Sequence, residues 1–249
     1  MADEYRFDGL TQGELEDTLD LPQVELLEST TSTLDVAHRL AADGCSPGTL
    51  VIADHQTAGR GRSGGKWTSN ASRGLWLTLI ERPRDVTGLE VLALRCGLRA
   101  ARALDRFASE PVRVKWPNDL FVEGRKLAGI LIEARWREGS LEWVAIGIGV
   151  NVSLPDDVPL ASALDPGTQR IEVLTELVPA VRDAAEGTGA LSRLELIEWN
   201  ARDIARGKQC TEPARGTVEG INAQGELLVA LADSIARFRS GSLVVEHLK

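Results

Sequence analysis

Residues 55 to 67 read His-Gln-Thr-Ala-Gly-Arg-Gly-Arg-Ser-Gly-Gly-Lys-Trp. Four glycines, Gly59, Gly61, Gly64 and Gly65, are interleaved with three cations, Arg60, Arg62 and Lys66. Glycine reaches backbone conformations closed to other residues and lets the chain approach a ligand closely. Exposed N–H groups flanked by guanidinium forks form a cradle for an anion. The composition predicts a mobile, cationic loop that folds over a phosphate or a carboxylate.

Two familiar phosphate motifs are excluded. Gly59, Gly61 and Gly64 satisfy G-x-G-x-x-G, but the dinucleotide fingerprint must open directly into a helix. Here Gly74 to Ile80 follows, and it reads as a strand. A P-loop needs Ser or Thr after Gly-Lys. Trp67 follows Gly65-Lys66 instead, and Arg60 stands where the first glycine of that motif belongs.

Other stretches bring polar groups to element ends. Val24 to Glu28 reads as a strand, and the hydroxyl cluster Ser29-Thr-Thr-Ser-Thr33 precedes a helix over Asp35 to Ala42. One hydroxyl is expected to cap that helix, leaving others for a ligand. Thr49 to Asp54 is an apolar strand that delivers His55, read as a spacer, and Gln56 into the glycine loop. A long helix spans Leu89 to Phe107. The strand Val112 to Lys115 stops at Trp116-Pro117-Asn118-Asp119, where proline imposes an extended or turning backbone. Lys115 reads as a strand-end salt bridge. Asp119 to Val122 and Arg125 to Glu133 form a hairpin that places Lys126 at the start of a buried strand. Leu141 to Gly149 is a further strand, ending in Gly147-Ile-Gly149-Val-Asn151. Of the six tryptophans, Trp116, beside the Pro-Asn-Asp turn, is the candidate for a site wall.

A loop over residues 153 to 167 leads into amphipathic helices at Ile171 to Ala185, which Pro179 should kink or shorten, and Leu191 to Ala205. Short strands then follow at Arg215 to Ile221, Leu227 to Ala230, Ile235 to Arg239 and Leu243 to His247. The order of elements predicts an α+β fold. Residues 1 to 22 are a short acidic lead-in with a turn or two of helix, 23 to 207 a larger domain with a mixed sheet flanked by helices, and 208 to 249 a small β-barrel.

The formal charge of −9 argues against nucleic acid as a partner. Only five basic residues are lysine and 23 are arginine, a bias resembling proteins of salt-rich cytoplasm. Three of the five lysines, Lys66, Lys115 and Lys126, lie in the stretches above. The three cysteines are scattered and odd in number, so they are expected to be reduced, and no metal-ligand spacing is visible. No apolar run is long enough to span a bilayer. The start lacks a signal-peptide core, which points to the cytoplasm.

Ser32-Thr33, Asp54-His-Gln-Thr-Ala-Gly-Arg-Gly-Arg62, Lys115-Trp-Pro-Asn-Asp119, Lys126-Leu-Ala-Gly129 and Gly147-Ile-Gly-Val-Asn151 stand in one order. From about residue 24 to the C-terminus the chain resembles the biotin–protein ligases. The resemblance implies a class II synthetase-like catalytic domain followed by an SH3-like barrel. It also implies a two-step reaction. Biotin attacks the α-phosphate of ATP, with Mg²⁺, to give biotinoyl-5′-AMP and pyrophosphate. A lysine of a biotin carboxyl carrier protein or domain then takes the biotinoyl group.

The resemblance assigns Ser32, Thr33, Gln56, Arg60, Gly61, Arg62, Lys126 and Gly129 to biotin. It assigns Arg60, Arg62, Lys66, Trp67, Asn118, Lys126 and Asn151 to ATP, with Asn118 and Asn151 contacting the nucleotide or its metal, and it implies no dedicated metal site. Lys126, Arg60 and Asp119 carry the catalytic roles: Lys126 bridges the carboxylate and the α-phosphate, and Asp119 orients the site or assists the incoming amine. The family commonly has Ser-Thr-Asn where this chain has Leu34, which puts one polar contact in doubt. Many relatives carry an N-terminal DNA-binding domain; the acidic start predicts none here, and no repressor function. Edge-to-edge homodimers occur among relatives, and one is expected. A lipoate–protein ligase and a biotin-binding module without catalysis remain as alternatives.

Overall fold

The computed structural model describes residues 5–156 and 158–246. Twelve strands and five α-helices alternate along them. Strands β1 (Val24–Thr30), β2 (Thr49–Gln56), β3 (Gly74–Glu81), β4 (Arg113–Lys115), β5 (Asp119–Val122), β6 (Arg125–Arg137) and β7 (Ser140–Asn151) make one seven-stranded sheet in the order β1-β2-β3-β7-β6-β5-β4. Only β1 and β2 run parallel; the other pairs are antiparallel, so the sheet is mixed as expected.

Alternation along the strands sends neighbouring side chains to opposite faces. Leu50 and Ile52 of β2 and Leu75, Leu77 and Leu79 of β3 join the main core, whereas Val51 and Ile80 join a second, smaller cluster. Helices α3 (Leu92–Leu104) and α4 (Arg170–Ala185) cover the first face; α2 (Thr33–Ala42) covers part of the second through Val36, Ala37 and Ala41. The long helix expected over Leu89 to Phe107 is α3 flanked by tight 3₁₀ turns at Leu89–Val91 and Asp105–Phe107, the common way for a helix to tighten at its ends. Pro179 does not interrupt α4, whose buried Val173, Leu174, Leu177, Val178 and Val181 hold it to the core. The following helix, α5, is shorter than expected (Arg193–Arg202), and starts with a capping box at Ser192 and Glu195.

Residues of the acidic lead-in are structural. Helix α1 (Gln12–Leu19) has a capping box at Thr11 and Glu14, and Phe7, Leu15, Leu19 and Leu21 are buried in the main core. Periodicity alone shows an acidic surface there and misses the few apolar residues that dock it.

Strands β8 (Gln209–Glu212), β9 (Gly216–Ile221), β10 (Leu227–Ala230), β11 (Ile235–Phe238) and β12 (Val244–Val245) make the second, antiparallel sheet in the order β11-β10-β9-β8-β12. The sequence shows no signal for β8, because Gln-Cys-Thr-Glu lacks apolar alternation; its pairing with β9 and β12 defines it. His247 lies outside the described residues. The turn expected at Asn222 to Gly225 joins β9 to β10.

Candidate active site

The cleft forms where the second face of the large sheet has no side chains to fill it. Gly129 of β6 pairs with Gly149 of β7, and Leu131 pairs with Gly147. Glycines in adjacent registers leave a hollow beside α2. Two side chains enter it. Trp67 lies over Gly129 and Gly149, where an added Cβ would fall 2.9 and 2.5 Å from its ring. Leu34 packs at Gly147, 3.1 Å from the corresponding position. The remaining open cavity, about 260 Å³, is lined by these groups, by the glycine loop and by the turn at residues 115 to 119.

Lys126 enters this hollow because of a β-bulge. The pairing of β5 with β6 slips between Leu120 and Phe121, so that Phe121 pairs with Lys126 while Leu120 pairs with Ala128. A one-residue slip reverses the face on which side chains emerge. Lys126 therefore shares the face of Gly129; its Nζ lies 3.5 Å from the site of a Cβ there. The backbone at the bulge is satisfied from the following loop: Lys126 N donates to Leu160 O (3.0 Å) and Ser162 N donates to Lys126 O (2.8 Å). The Lys126 ammonium is 2.7 Å from Asp119 Oδ1, an ion pair without an aligned hydrogen bond, and 5.2 Å from the Trp67 ring centroid.

Lys115 stands beside this pair. It does not end the strand in a salt bridge of its own among the described residues, as the sequence suggests, but lies 5.6 Å over the ring of Phe121 and open to the cleft. Burial pushes its pKa down and the neighbouring Lys126 charge adds to that, while Asp119 works in the opposite direction. A partly dehydrated ammonium in this setting is suited to an incoming anion. Asn118 is fixed by reciprocal bonds with Ile130, Nδ2 donating to its carbonyl (2.8 Å) and the backbone carbonyl accepting from its N–H (3.0 Å).

On the opposite wall Gln56 Oε1 accepts from Thr33 N (2.9 Å) and Thr33 Oγ1 (3.2 Å), and Thr33 Oγ1 accepts from Thr78 Oγ1 (2.8 Å). Ser32 occupies the N-cap of α2 but makes no capping bond, and lines the cleft. His55 Nδ1 bonds Ser69 O (2.9 Å) and so ties down the segment returning from the loop.

The glycine loop is folded on itself rather than splayed. Gly61 N donates to Gly65 O (2.7 Å), Trp67 N donates to Gly59 O (2.9 Å), and Ser63 and Gly64 turn the tip with φ of 53° and 76°. Arg62 Nη1 donates to Gly241 O (3.2 Å), so the loop meets the segment before β12, whose Ser242 and Leu243 complete the cleft.

Most of the expected residues converge here: Ser32, Thr33, Gln56, Arg60, Gly61, Arg62, Lys66, Trp67, Asn118, Asp119, Lys126 and Gly129 all line the cavity. Two differ from expectation. Arg60 reaches the rim, but its fork is held by Glu133 and Asp35. Asn151 is 5 % exposed and lies behind the bulge, its Nδ2 donating to Ser162 O (3.0 Å) and weakly to Lys126 O (3.5 Å); it braces Lys126 from the side away from the cleft. Trp116, the wall candidate, lines the cleft together with Trp67; it is 2 % exposed, and its indole N–H donates to Gly225 O (3.0 Å), tying the small sheet to the turn. Lys115, Leu34, Gly147 and Gly149 were readable as motif members, yet their place at the cleft depends on strand pairing.

Comparison with known proteins agrees with this geometry. Residues 26–151 match the Biotin/lipoate A/B protein ligase family. The chain is 36 % identical over 239 residues to a biotin--[acetyl-CoA-carboxylase] ligase of Paracoccus denitrificans, covering 82 % of this chain and 92 % of that protein. It is 40 % identical over 175 residues to the bifunctional ligase/repressor BirA of Bacillus subtilis, covering 69 % of this chain and 51 % of the relative, so it spans about half of that protein's length. A point mutant of a biotin protein ligase from Aquifex aeolicus, in complex with biotin, superposes with a TM-score of 0.74 at 25 % identity, over 90 % of this chain and 97 % of that one. Both the sequence match and the shared fold show that the chain belongs to the Biotin/lipoate A/B protein ligase family.

Proposed function

We propose that the chain activates biotin with ATP and transfers the biotinoyl group to a lysine of a biotin carboxyl carrier protein or domain. The observation that carries this reading is the gathering of Lys126, Asp119 and Lys115 at the end of a glycine-floored, partly apolar hollow beneath a cationic loop. Two anions must meet for the first step, and fixed cations in a dehydrated site offset their repulsion. The biotin carboxylate oxygen bonds the α-phosphorus, and the bond from that phosphorus to the bridging oxygen breaks to release pyrophosphate. Lys126 is placed to serve both anions, leaving Asp119 to hold its charge in position. In the second step the carrier amine bonds the acyl carbon, AMP leaves, and the amine gives up a proton; Asp119 is the nearby carboxylate to accept it.

Ser32, Thr33 and Gln56 face the polar ring of biotin, with Leu34, Trp67 and the glycines Gly129 and Gly149 packing its apolar part. The Trp67 indole N–H is buried without an acceptor among the described residues and is available to a ligand. Gly61, Arg62, Lys66, Trp67, Asn118 and Lys115 face the nucleotide. Among the described residues no cluster of three His, Cys, Asp or Glu side chains is placed to hold a metal. Mg²⁺ fits as an ion carried by the phosphates, taking few protein ligands. The chemistry belongs to residues 23 to 207, and 208 to 249 close one wall through Ser242 and Leu243.

The three cysteines are free, which supports a reducing, cytoplasmic setting. No helix among the described residues is long and apolar enough to cross a membrane. The charge of −9 supports a protein carrier over DNA. Strand β1 is an edge of the large sheet, a surface on which a homodimer can pair.

Mass spectrometry of a carrier domain incubated with ATP, Mg²⁺ and biotin tests the reading; the expected product is heavier by one biotinoyl group. The family description also names lipoate ligases. Isotope exchange between ATP and pyrophosphate, run with biotin and with lipoate, separates the two, and biotin binding without exchange would indicate a module without catalysis.

A further inference from the structure

Arg60 stands at the rim of the cleft with its guanidinium already engaged. Nη1 is 3.0 Å from Glu133 Oε1, and Nη2 is 3.2 Å from Glu133 Oε2 and 3.1 Å from Asp35 Oδ1. The planar fork meets Glu133 with both arms, the geometry that gives Arg–carboxylate pairs their directionality. Isolated surface pairs contribute little, but a two-armed pair within a network is the exception.

A second layer fixes Glu133. His38 Nε2 is 2.7 Å from Glu133 Oε2, and His38 Nδ1 is 2.9 Å from Trp143 Nε1. An indole N–H can only donate. Nδ1 is therefore the acceptor, the ring proton of this arrangement sits on Nε2, and that proton points at Glu133. Trp143 is itself held: it is 7 % exposed in the cluster beneath α2. Arg82 lies 5.6 Å over its ring and donates to Ala41 O and Glu142 O, both at 2.8 Å or less. Direction passes from the packed core to His38, to Glu133, to Arg60, and so to the glycine loop.

We propose that His38 and Trp143 are positioning residues that fix Glu133 to seat Arg60, so that the loop from Gly59 to Trp67 is anchored before a ligand arrives. Arg60 then acts as the hinge pin of the loop, and Arg62 and Lys66 are the loop cations left for anions. The effect on catalysis rests on the function proposed above; the anchoring itself does not.

Hydrogen exchange of residues 57 to 67 in the ligand-free protein reads the anchor directly. His38→Leu keeps the bulk of a half-buried side chain and removes both bonds; the loop should exchange about fivefold faster, the upper range for a surface ion pair. His38→Gln, which keeps one donor and one acceptor, should stay within about twofold of wild type. Glu133→Gln should resemble His38→Leu, and the double variant should be no faster than the faster single variant, because both break one chain of contacts. Trp143→Phe, which keeps an aromatic in the core, is read in the same way and decides the matter if His38→Leu does not fold. Unchanged loop exchange in His38→Leu, or single effects that multiply in the double variant, would overturn the proposal. Biotinoyl-AMP released to solution, measured in parallel, should rise with loop exchange. If wild type forms no biotinoyl-AMP, the functional reading fails, while the exchange result still decides the anchor.

Discussion

Trp67 occupies the space that a side chain at Gly149 would need: an added Cβ there would come within 2.5 Å of the indole. The backbone of Gly149 is not in the left-handed region, so the glycine is required by the neighbouring ring and not by the fold of its own strand.

Gly149→Ala should therefore act on the cleft. Overpacking of this kind costs about 1–3 kcal/mol unless the ring swings away, and either outcome removes the wall beside Lys126. ATP–pyrophosphate exchange should fall by at least about tenfold, an amount matched by a loss of roughly 1.4 kcal/mol at the transition state, and tryptophan fluorescence should shift. Gly97→Ala is the internal comparison. Its Cβ would meet only Leu120, at 4.0 Å, within α3, so it should stabilise the protein by about 0.5–1 kcal/mol without touching activity. Wild-type exchange rates in Gly149→Ala would show that Trp67 is not a wall of the site.

Lys126→Ala should leave the fold standing and remove adenylate formation. The ammonium is partly exposed and the backbone at this position is held by Leu160 and Ser162 regardless of side chain. Loss of a preorganised charge at the transition state is worth on the order of 3 kcal/mol, about 100-fold in rate. Pyrophosphate exchange near the wild-type rate in a folded variant would remove Lys126 from the chemistry.

Lys115 supplies a pH signature. Its folded pKa lies below the ordinary 10.5, chiefly through burial. Between that lowered value and 10.5 the unfolded chain binds more protons, so stability gains from this residue as pH rises through that window. A phosphate bound beside it favours the charged form and raises its pKa. ATP binding at alkaline pH should thus take up a fraction of a proton, measurable by titration calorimetry in buffers of different ionisation enthalpy. Lys115→Met should abolish the uptake, weaken ATP binding, and stabilise the free protein below the window. Equal uptake in wild type and Lys115→Met would place the titrating group elsewhere.

The acidic surface predicts a response to salt. At about 0.01 M ionic strength the Debye length is roughly 30 Å, so surplus carboxylates repel across the surface; near 1 M it falls to about 3 Å. With a net charge of −9, Tm should rise with KCl into the molar range. ATP affinity should fall less steeply than it would for exposed charges, because Lys115 and Lys126 are partly buried in the cleft. A Tm that is flat or falling across the series would make the acidic bias incidental.

Much of the fold was legible in the chain because its signals are local. Short apolar runs placed β2, β3, β6 and β7, and the apolar spacing around Val36 and Leu40 placed α2. The kinds of residue between them, glycines with arginines, a Lys near an Asp, a Pro-Asn turn, announced anion chemistry. What the tertiary structure alone decided is where those groups point and which of them are already satisfied. The bulge in the β5–β6 pairing turns Lys126 onto the cleft face, and the β6–β7 register sets Gly129 against Gly149 to hollow the floor. Asn151, readable as a ligand contact, is used by the scaffold, and Trp116 lines the cleft while its indole N–H ties down the small sheet. Arg60, a free cation in the sequence, is held by a carboxylate 73 residues away. Register and charge pairing join residues distant along the chain, so no local pattern encodes them; the packed sheet does.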